Sequence, residues 1–142
     1  MGKEALVGAN VGVDCQVALD GMGYWLAPHS YHVQRPRLRK ATVLASGAER
    51  YVDAGPGKRV WLFTVLAAND LARYDGRPTG LTGQQYRDAL VASYTTIGVL
   101  PFVDPYGAAW QVRFDHLVES LPDPRTALAG PGYLLAVELV EA

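Results

Sequence analysis

The chain has little charge, one cysteine and no long apolar run. Asp, Glu, Lys and Arg make up 19% of its 142 residues, below the roughly 25% that is usual for soluble domains. A surface short of charge is typical of a subunit that buries part of that surface against copies or neighbours. No segment reaches the about 18 consecutive apolar residues of a membrane span, and the first residues lack the pattern of a signal peptide.

The balanced charge and the single cysteine exclude several classes of binding partner and several kinds of chemistry. The 13 basic and 14 acidic residues give a net charge of −1, so the chain as a whole has no field for nucleic acid or an anionic membrane. Cys15 stands alone, which excludes an internal disulfide and fits a reducing cytoplasm. We interpret it as a small buried side chain rather than a nucleophile.

Sequence motifs for catalysis and for metal binding are missing as well. The stretch DAGPGKRVW, from position 53, has glycines and a lysine without P-loop spacing, and neither a nucleophile elbow nor HExxH occurs. His29 and His32 would point to opposite faces of a strand, with no cysteine or acidic residue close by. The sequence therefore predicts no catalytic residue, no metal site and no cofactor.

What is present is a set of short apolar runs separated by 15 glycines and nine prolines, which predicts a mainly β fold. The chain has the length of one domain, over residues 1–142, with an extended N-terminal arm over residues 1–20. The segment from Lys58 to Asn69 is apolar on both faces and predicts a central strand covered on both sides. The predicted strands are Val11–Leu19, Tyr24–Leu26, Tyr31–Gln34, Leu38–Leu44, Arg50–Val52, Arg59–Leu66, Val99–Val103, Ala109–Val118 and Tyr133–Val140.

One segment has helical spacing. Thr82 and Gln85 have the spacing of a capping box, and apolar residues then recur with the helical period as far as Ile97. We expect one helix from Thr82 to Ile97 with one side packed against a sheet.

The segment DPYG at positions 104–107 has the residue order of a type I turn. In the strand that follows, alternation puts Trp110 and His116 on the inner face and Asp115 on the other. Because neighbours in a regular strand point apart, we expect no Asp115–His116 catalytic pair, and we place His116 at the edge of the core.

Two further features predict surface roles. Arg35, Arg37 and Arg39 would share one strand face, which has two interpretations: a phosphate-binding surface or the solvated, charged face of an edge strand. Two long connections, from positions 67 to 82 and 119 to 132, keep apolar residues among turn formers, and we expect them to order against a neighbour. The candidate interface residues are Leu71, Tyr74, Arg77, Leu121, Arg125 and Leu128.

The order of these segments resembles a known family. RPRLRKATVLASGAERYVDAGPGKRVWLFTVL is followed by the helix, by VLPFVDPYGAAWQVRFDHL and by YLLAVELVEA. Over about Tyr31 to Glu141 this is similar to the small tail proteins of long-tailed bacteriophages, the minor-tail and distal-tail group that shares the tail-tube fold. The insertion NDLARYDGRPTG departs from the short link expected before the helix, which leaves the exact family open.

The resemblance implies a mainly β fold like that of the tail tube, an antiparallel β-sandwich or split barrel with one packed α-helix. It also implies a structural virion protein of a phage tail, made in the host cytoplasm. It implies a ring around the tail channel, with six copies, contacts to neighbouring tail proteins, transient passage of DNA, no membrane insertion and no catalytic residues. The alternative is a non-catalytic β-barrel module that binds a small ligand or a glycan in a cleft lined by aromatic side chains. The residues expected around that cleft are Tyr24, Trp25, Trp61 and Trp110.

Overall fold

The computed structural model describes residues 10–69, 71–121 and 132–142, and it describes the backbone alone at residues 39–42, 49 and 51–54. The fold is mainly β with one helix, as the sequence predicts. The elements in chain order are β1 (Val17–Leu19), β2 (Met22–Leu26), β3 (His32–Gln34), β4 (Arg37–Val43), β5 (Glu49–Pro56), β6 (Val60–Ala67), α1 (Gly83–Thr95), β7 (Leu100–Val103), β8 (Ala109–Ser120) and β9 (Tyr133–Glu141).

Seven of the strands form one antiparallel sheet in the order β2-β1-β7-β8-β9-β6-β3. Strand β2, at one end of this order, also pairs with β6, the strand next to the other end. The sheet therefore closes into a barrel, and β3 continues beside β6 beyond the point where β2 leaves it. Strands β4 and β5 pair only with each other, in a separate two-stranded sheet.

The core lies inside the barrel. Strand β6 alternates strictly between half-buried and buried residues, and its buried side chains Trp61, Phe63 and Val65 point inward with Leu135, Val137 and Leu139 of β9. The prediction that β6 is covered on both faces is wrong for the described part of the chain, where its other face is only half-buried. The apolar residues on that other face are thus not explained by packing within the barrel.

The helix packs against the inner side of the barrel through Tyr86 and Leu90, which are fully buried. The predicted capping box is confirmed: the Thr82 hydroxyl accepts from the Gln85 N–H at 3.2 Å, and the Gln85 side chain accepts from the Thr82 N–H at 2.8 Å. The helix ends at Thr95, two residues earlier than predicted, since Thr96 adopts an extended backbone. Ile97 is consequently 100% exposed instead of packed.

The N-terminal strand is shorter than predicted. Residues 10–16 form a turn in which the Asp14 N–H donates to the Asn10 carbonyl at 2.8 Å, and Gly12 takes a φ of 86° that favours glycine. Only Val17–Leu19 remain as strand, and they are buried. Of the N-terminal arm expected over residues 1–20, residues 1–9 lie outside the described ranges.

Candidate assembly site

The two-stranded sheet of β4 and β5 is separate from the seven-stranded sheet of the barrel. We call residues Arg37–Pro56 the arm. Seven cross-strand pairs hold its two strands together, from Arg37 opposite Pro56 to Val43 opposite Glu49. At its tip the Leu44 N–H donates to the Ala48 carbonyl at 2.8 Å. Within the described residues, the arm forms a sheet of its own that is separate from the strands of the barrel.

Apolar side chains are exposed along the arm. Leu38 is 54% exposed and Val43 is 70% exposed, and Leu44 at the tip is exposed as well. Isolated two-stranded hairpins are at best marginally stable in water, and exposed apolar groups add no stability to this one. Its exposed apolar side chains are therefore typical of a hairpin that packs against a partner surface outside the described domain.

The predicted basic face is only partly retained. Arg35 lies in the link between β3 and β4 rather than in a strand, and both Arg35 and Arg37 are exposed. The register shift beside Leu38 leaves Ala54 as an extra residue of β5 and does not interrupt β4. The side chain of Arg39 lies outside the described part of the structure.

The barrel presents a second exposed apolar surface on its outside. The outer face, as we define it, comprises the outward residues of β3, β6 and β9 and of the second half of β8. Cross-strand register arranges them in rows, with Val60 beside Val140, Thr64 beside Ala136 and Leu66 beside Leu134. Within the described chain the helix lies on the opposite side of these strands. The members of the outer face are His32, Gln34, Val60, Leu62, Thr64, Leu66, Leu134, Ala136, Glu138, Val140, Arg113, Asp115, His116 and Val118.

A β-bulge places two acidic residues and a histidine together on the outer face. Phe114 pairs with Leu139 and His116 pairs with Glu138, so Asp115 is the extra residue of the bulge. Because a bulge shifts the alternation by one residue, His116 is exposed, and Leu117 packs against the core in its place. The prediction that His116 lies at the edge of the core is therefore wrong, since it assumed a regular strand.

The two carboxyl groups at the bulge interact directly. A hydrogen bond that the protonated Glu138 carboxyl donates to Asp115 raises the pKa of Glu138, with burial and the negative charge of Asp115 acting in the same direction and His116 opposing them. Two adjacent carboxylates repel each other unless they share a proton or bind a cation. Among residues 10–69, 71–121 and 132–142, no three or more potential ligands are grouped so that they could hold a metal ion.

The remaining candidate for nucleophilic chemistry is Cys15, which is fully buried. Burial, and to a lesser extent the charge of Asp14, raises the pKa of this thiol to about 11. A thiol with such a pKa is almost entirely protonated at neutral pH and is a poor nucleophile. Its surroundings match the structural role inferred from the sequence.

The β7–β8 turn is held by one carboxylate. Asp104 is buried, and its side chain accepts from the N–H groups of Tyr106 at 3.0 Å and Ala108 at 2.9 Å. Its second oxygen accepts from the Trp110 indole N–H at 3.0 Å. The predicted turn is thus confirmed, and Asp104 has a structural role.

The aromatic residues expected to line a ligand cleft do not line one together. Tyr24 and Trp61 are fully buried in the core, and Trp110 packs on Trp61 with its ring under the Arg59 guanidinium. Trp25 packs edge-on against Tyr74 at 4.9 Å between ring centroids. The prediction of that cleft is wrong in its lining residues.

A different cleft, of about 460 Å³, opens beside β2 and β3. Burial raises the pKa of Tyr31 in this cleft to about 12, so its phenol is protonated at neutral pH. His29 adopts a φ of 62°, an uncommon conformation for a residue with a side chain. Lining residues include Gln16, Pro28, His29, Tyr31, Tyr74 and Pro105.

The first long connection folds against its own domain. Leu71 packs against the core, and its carbonyl accepts from the Thr79 N–H at 3.0 Å. Arg73 approaches Asp14 at 3.4 Å. The expectation that Leu71 is exposed for an interface is therefore wrong.

Two other interface candidates in this connection do lie at the surface. Tyr74 is 59% exposed, and the exposed Arg77 binds Asp75 through Nε and Oδ2 at 2.6 Å. In the second connection Leu121 is half-buried, while Arg125 and Leu128 lie outside the described residues.

Comparison with known proteins adds no identity: no protein-family model matches the chain, and no curated protein sequence is significantly similar to it. Within the described residues, no helix has the length and apolar character needed to cross a membrane.

Proposed function

We propose that this chain is a structural subunit that assembles with copies of itself and works without catalysis. The observation that carries the proposal is the arm, a two-stranded sheet separate from the barrel with exposed apolar side chains. In the setting implied by the resemblance, the subunit forms a ring around the channel of a phage tail, with six copies and with other tail proteins as neighbours.

Ordering the arm costs conformational entropy. Each ordered residue loses about 1–2 kcal/mol of backbone entropy, and Leu38, Val43 and Leu44 of the arm stay exposed within the described domain. Contact with another subunit would bury Leu38, Val43 and Leu44, as when an exposed hairpin packs against a neighbouring sheet. An arm that binds a different surface on the next copy makes a head-to-tail contact, which closes into a ring when the rotation allows.

The experiment that tests this proposal removes the arm and keeps the barrel. Arg37 and Pro56 are paired across the base of the arm, and the Gly57 N–H donates to the Pro36 carbonyl at 2.7 Å. A short Gly-Asn turn can therefore join Pro36 to Gly57 without moving β3 or β6.

We expect the arm-less variant to fold, with the circular dichroism of a β protein, and to remain monomeric where the intact chain oligomerises. Multi-angle light scattering on both proteins over a hundredfold concentration range measures the difference. An arm-less variant that assembles like the intact chain would contradict the proposal.

A second candidate function is supported by the 460 Å³ cleft, whose volume lies within the usual range for ligand sites. Its tyrosines and its strained His29 suit a small ligand or a sugar, which would contact Tyr31 and Tyr74. Screening a glycan array with the intact chain and with Tyr74→Ala tests this candidate. Binding that is lost in the variant supports it, and the absence of any binding rejects it.

A further inference from the structure

We propose that the outer face beside the Asp115 bulge is the surface that receives the arm of a second copy of this chain. The inference rests on the proposed function, because it names the two surfaces that meet when subunits assemble. It is drawn from charge, from exposed apolar surface and from dimensions.

The arm and the outer face carry complementary charges. The arm, Arg37–Pro56, has four basic residues and two acidic ones in its sequence. The outer face presents Asp115 and Glu138 side by side on neighbouring strands. The other titratable groups on this face are His116 beside Glu138, His32 two strands away, and Arg113 one row away.

Two neighbouring carboxyl groups make a specific receptor for a cation. In the isolated subunit they share a hydrogen bond, and the pKa of Glu138 is raised as a result. A guanidinium from another chain would form charge-assisted bonds to both carboxylates. Arginine in the arm has this chemistry, and Arg50 of β5 is exposed there.

Both surfaces also expose apolar groups. Val118 and Ala136 are exposed and Leu62 is half-buried in the rows that flank the acidic pair. The arm exposes Leu38 and Val43. Contact between the two surfaces would remove these side chains from water at the same time as it pairs the charges.

The length of the arm also matches the width of the outer face. Four strands, β3, β6, β9 and β8, span about 14 Å between the outer two, at about 4.8 Å per step. The eight-residue β5 extends roughly 26 Å at about 3.3 Å per residue. The arm is thus long enough to cross the whole outer face of a neighbour.

The experiment uses two variants that are defective in opposite partners of the contact. The arm-less variant keeps the outer face, and the double variant D115R/E138R keeps the arm but reverses the charge of the receptor. A helix variant with the same kind of added charge, Gln84→Arg, is the control, since Gln84 is exposed on α1 and distant from the bulge.

We expect each defective variant to be monomeric by light scattering, and Gln84→Arg to assemble as the intact chain does. Mixing the two defective variants should give a one-to-one heterodimer that grows no further, because only one arm and one receptor in the pair are intact. A milder variant, D115N/E138Q, keeps the shape of the side chains without their charge and should assemble about tenfold more weakly. It provides the same test if the charge reversal prevents folding.

The possible failures are distinguishable. If D115R/E138R, or D115N/E138Q where the reversal does not fold, assembles like the intact chain, the receptor lies elsewhere and this inference is overturned while the proposed function stands. Two folded monomeric variants that form no heterodimer overturn it as well. If the intact chain is a monomer at every concentration, the proposed function fails and this inference fails with it.

Discussion

Trp110→Ala should lower the free energy of unfolding by about 3 kcal/mol. Full truncation of a buried Trp costs about 3–5 kcal/mol, and Trp110 is only partly buried, which places the value at the lower end. Three contacts contribute. The indole N–H bond to Asp104 at 3.0 Å is worth about 1.5 kcal/mol because the acceptor is charged. Packing on Trp61 adds about 0.5–1.5 kcal/mol, and Arg59 over the ring adds about 0.5–1 kcal/mol.

The assay is urea unfolding followed by circular dichroism, with Trp110→Phe as the matched variant. Phe keeps an aromatic ring against Trp61 and loses only the N–H donor, so we expect a smaller loss of about 1–2 kcal/mol. For a chain of this length a loss of 3 kcal/mol lowers the Tm by about 6–12 °C. An unchanged stability for Trp110→Ala would refute the packing described for the β7–β8 turn. Equal losses in the free energy of unfolding for the two variants would refute the stabilisation assigned to the packing of the aromatic ring.

Three further predictions follow from single contacts. Because Asp115 raises the native pKa of Glu138, the folded chain holds a proton there that the unfolded chain releases. The contribution of Glu138 to stability is therefore largest below its unfolded pKa and is lost as the pH rises through its native pKa. Glu138→Gln should flatten this decline in the free energy of unfolding, measured by urea titrations from acid to neutral pH. An unaltered decline in the variant would contradict the shared hydrogen bond. Thr82→Ala removes the hydroxyl that caps Gln85 and should cost about 1 kcal/mol in urea unfolding, whereas a neutral result would mean that the cap contributes nothing. Cys15 should resist a thiol reagent at neutral pH in the folded chain and react in urea; rapid labelling of the native protein would contradict its burial.

Local signals in the sequence predicted local structure well. The helix start at Thr82 and the turn at positions 104–107 depend on side chains that bond to backbone groups two to four residues away. Such bonds are determined by residues that stand together in the sequence. They could therefore be recognised without knowledge of the fold.

Features that depend on distant strands could not be predicted in this way. The bulge at Asp115 exists because β8 pairs with β9 in a register that shifts there, and no residue near Asp115 signals it. The same shift brings Glu138 to Asp115 and His116. Barrel closure through Trp25 and Leu66 is also a pairing between distant segments.

One wrong prediction is informative about the proposed site. The segment that becomes β6 is apolar on both faces, and alternation alone predicted cover on both sides. Within the described residues only the inner face is covered, by the core and the helix. The apolar character of Leu62 and Leu66 thus agrees with a surface that a second subunit would cover.

The central claim is that the chain assembles through contacts between copies. Native mass spectrometry of the intact chain, sprayed from solutions spanning low to high micromolar concentration, tests it most directly. The account predicts a single closed oligomer at the upper concentrations, with six copies if the ring resembles those of phage tails, and its loss in the arm-less variant. A monomer at every concentration would contradict the account.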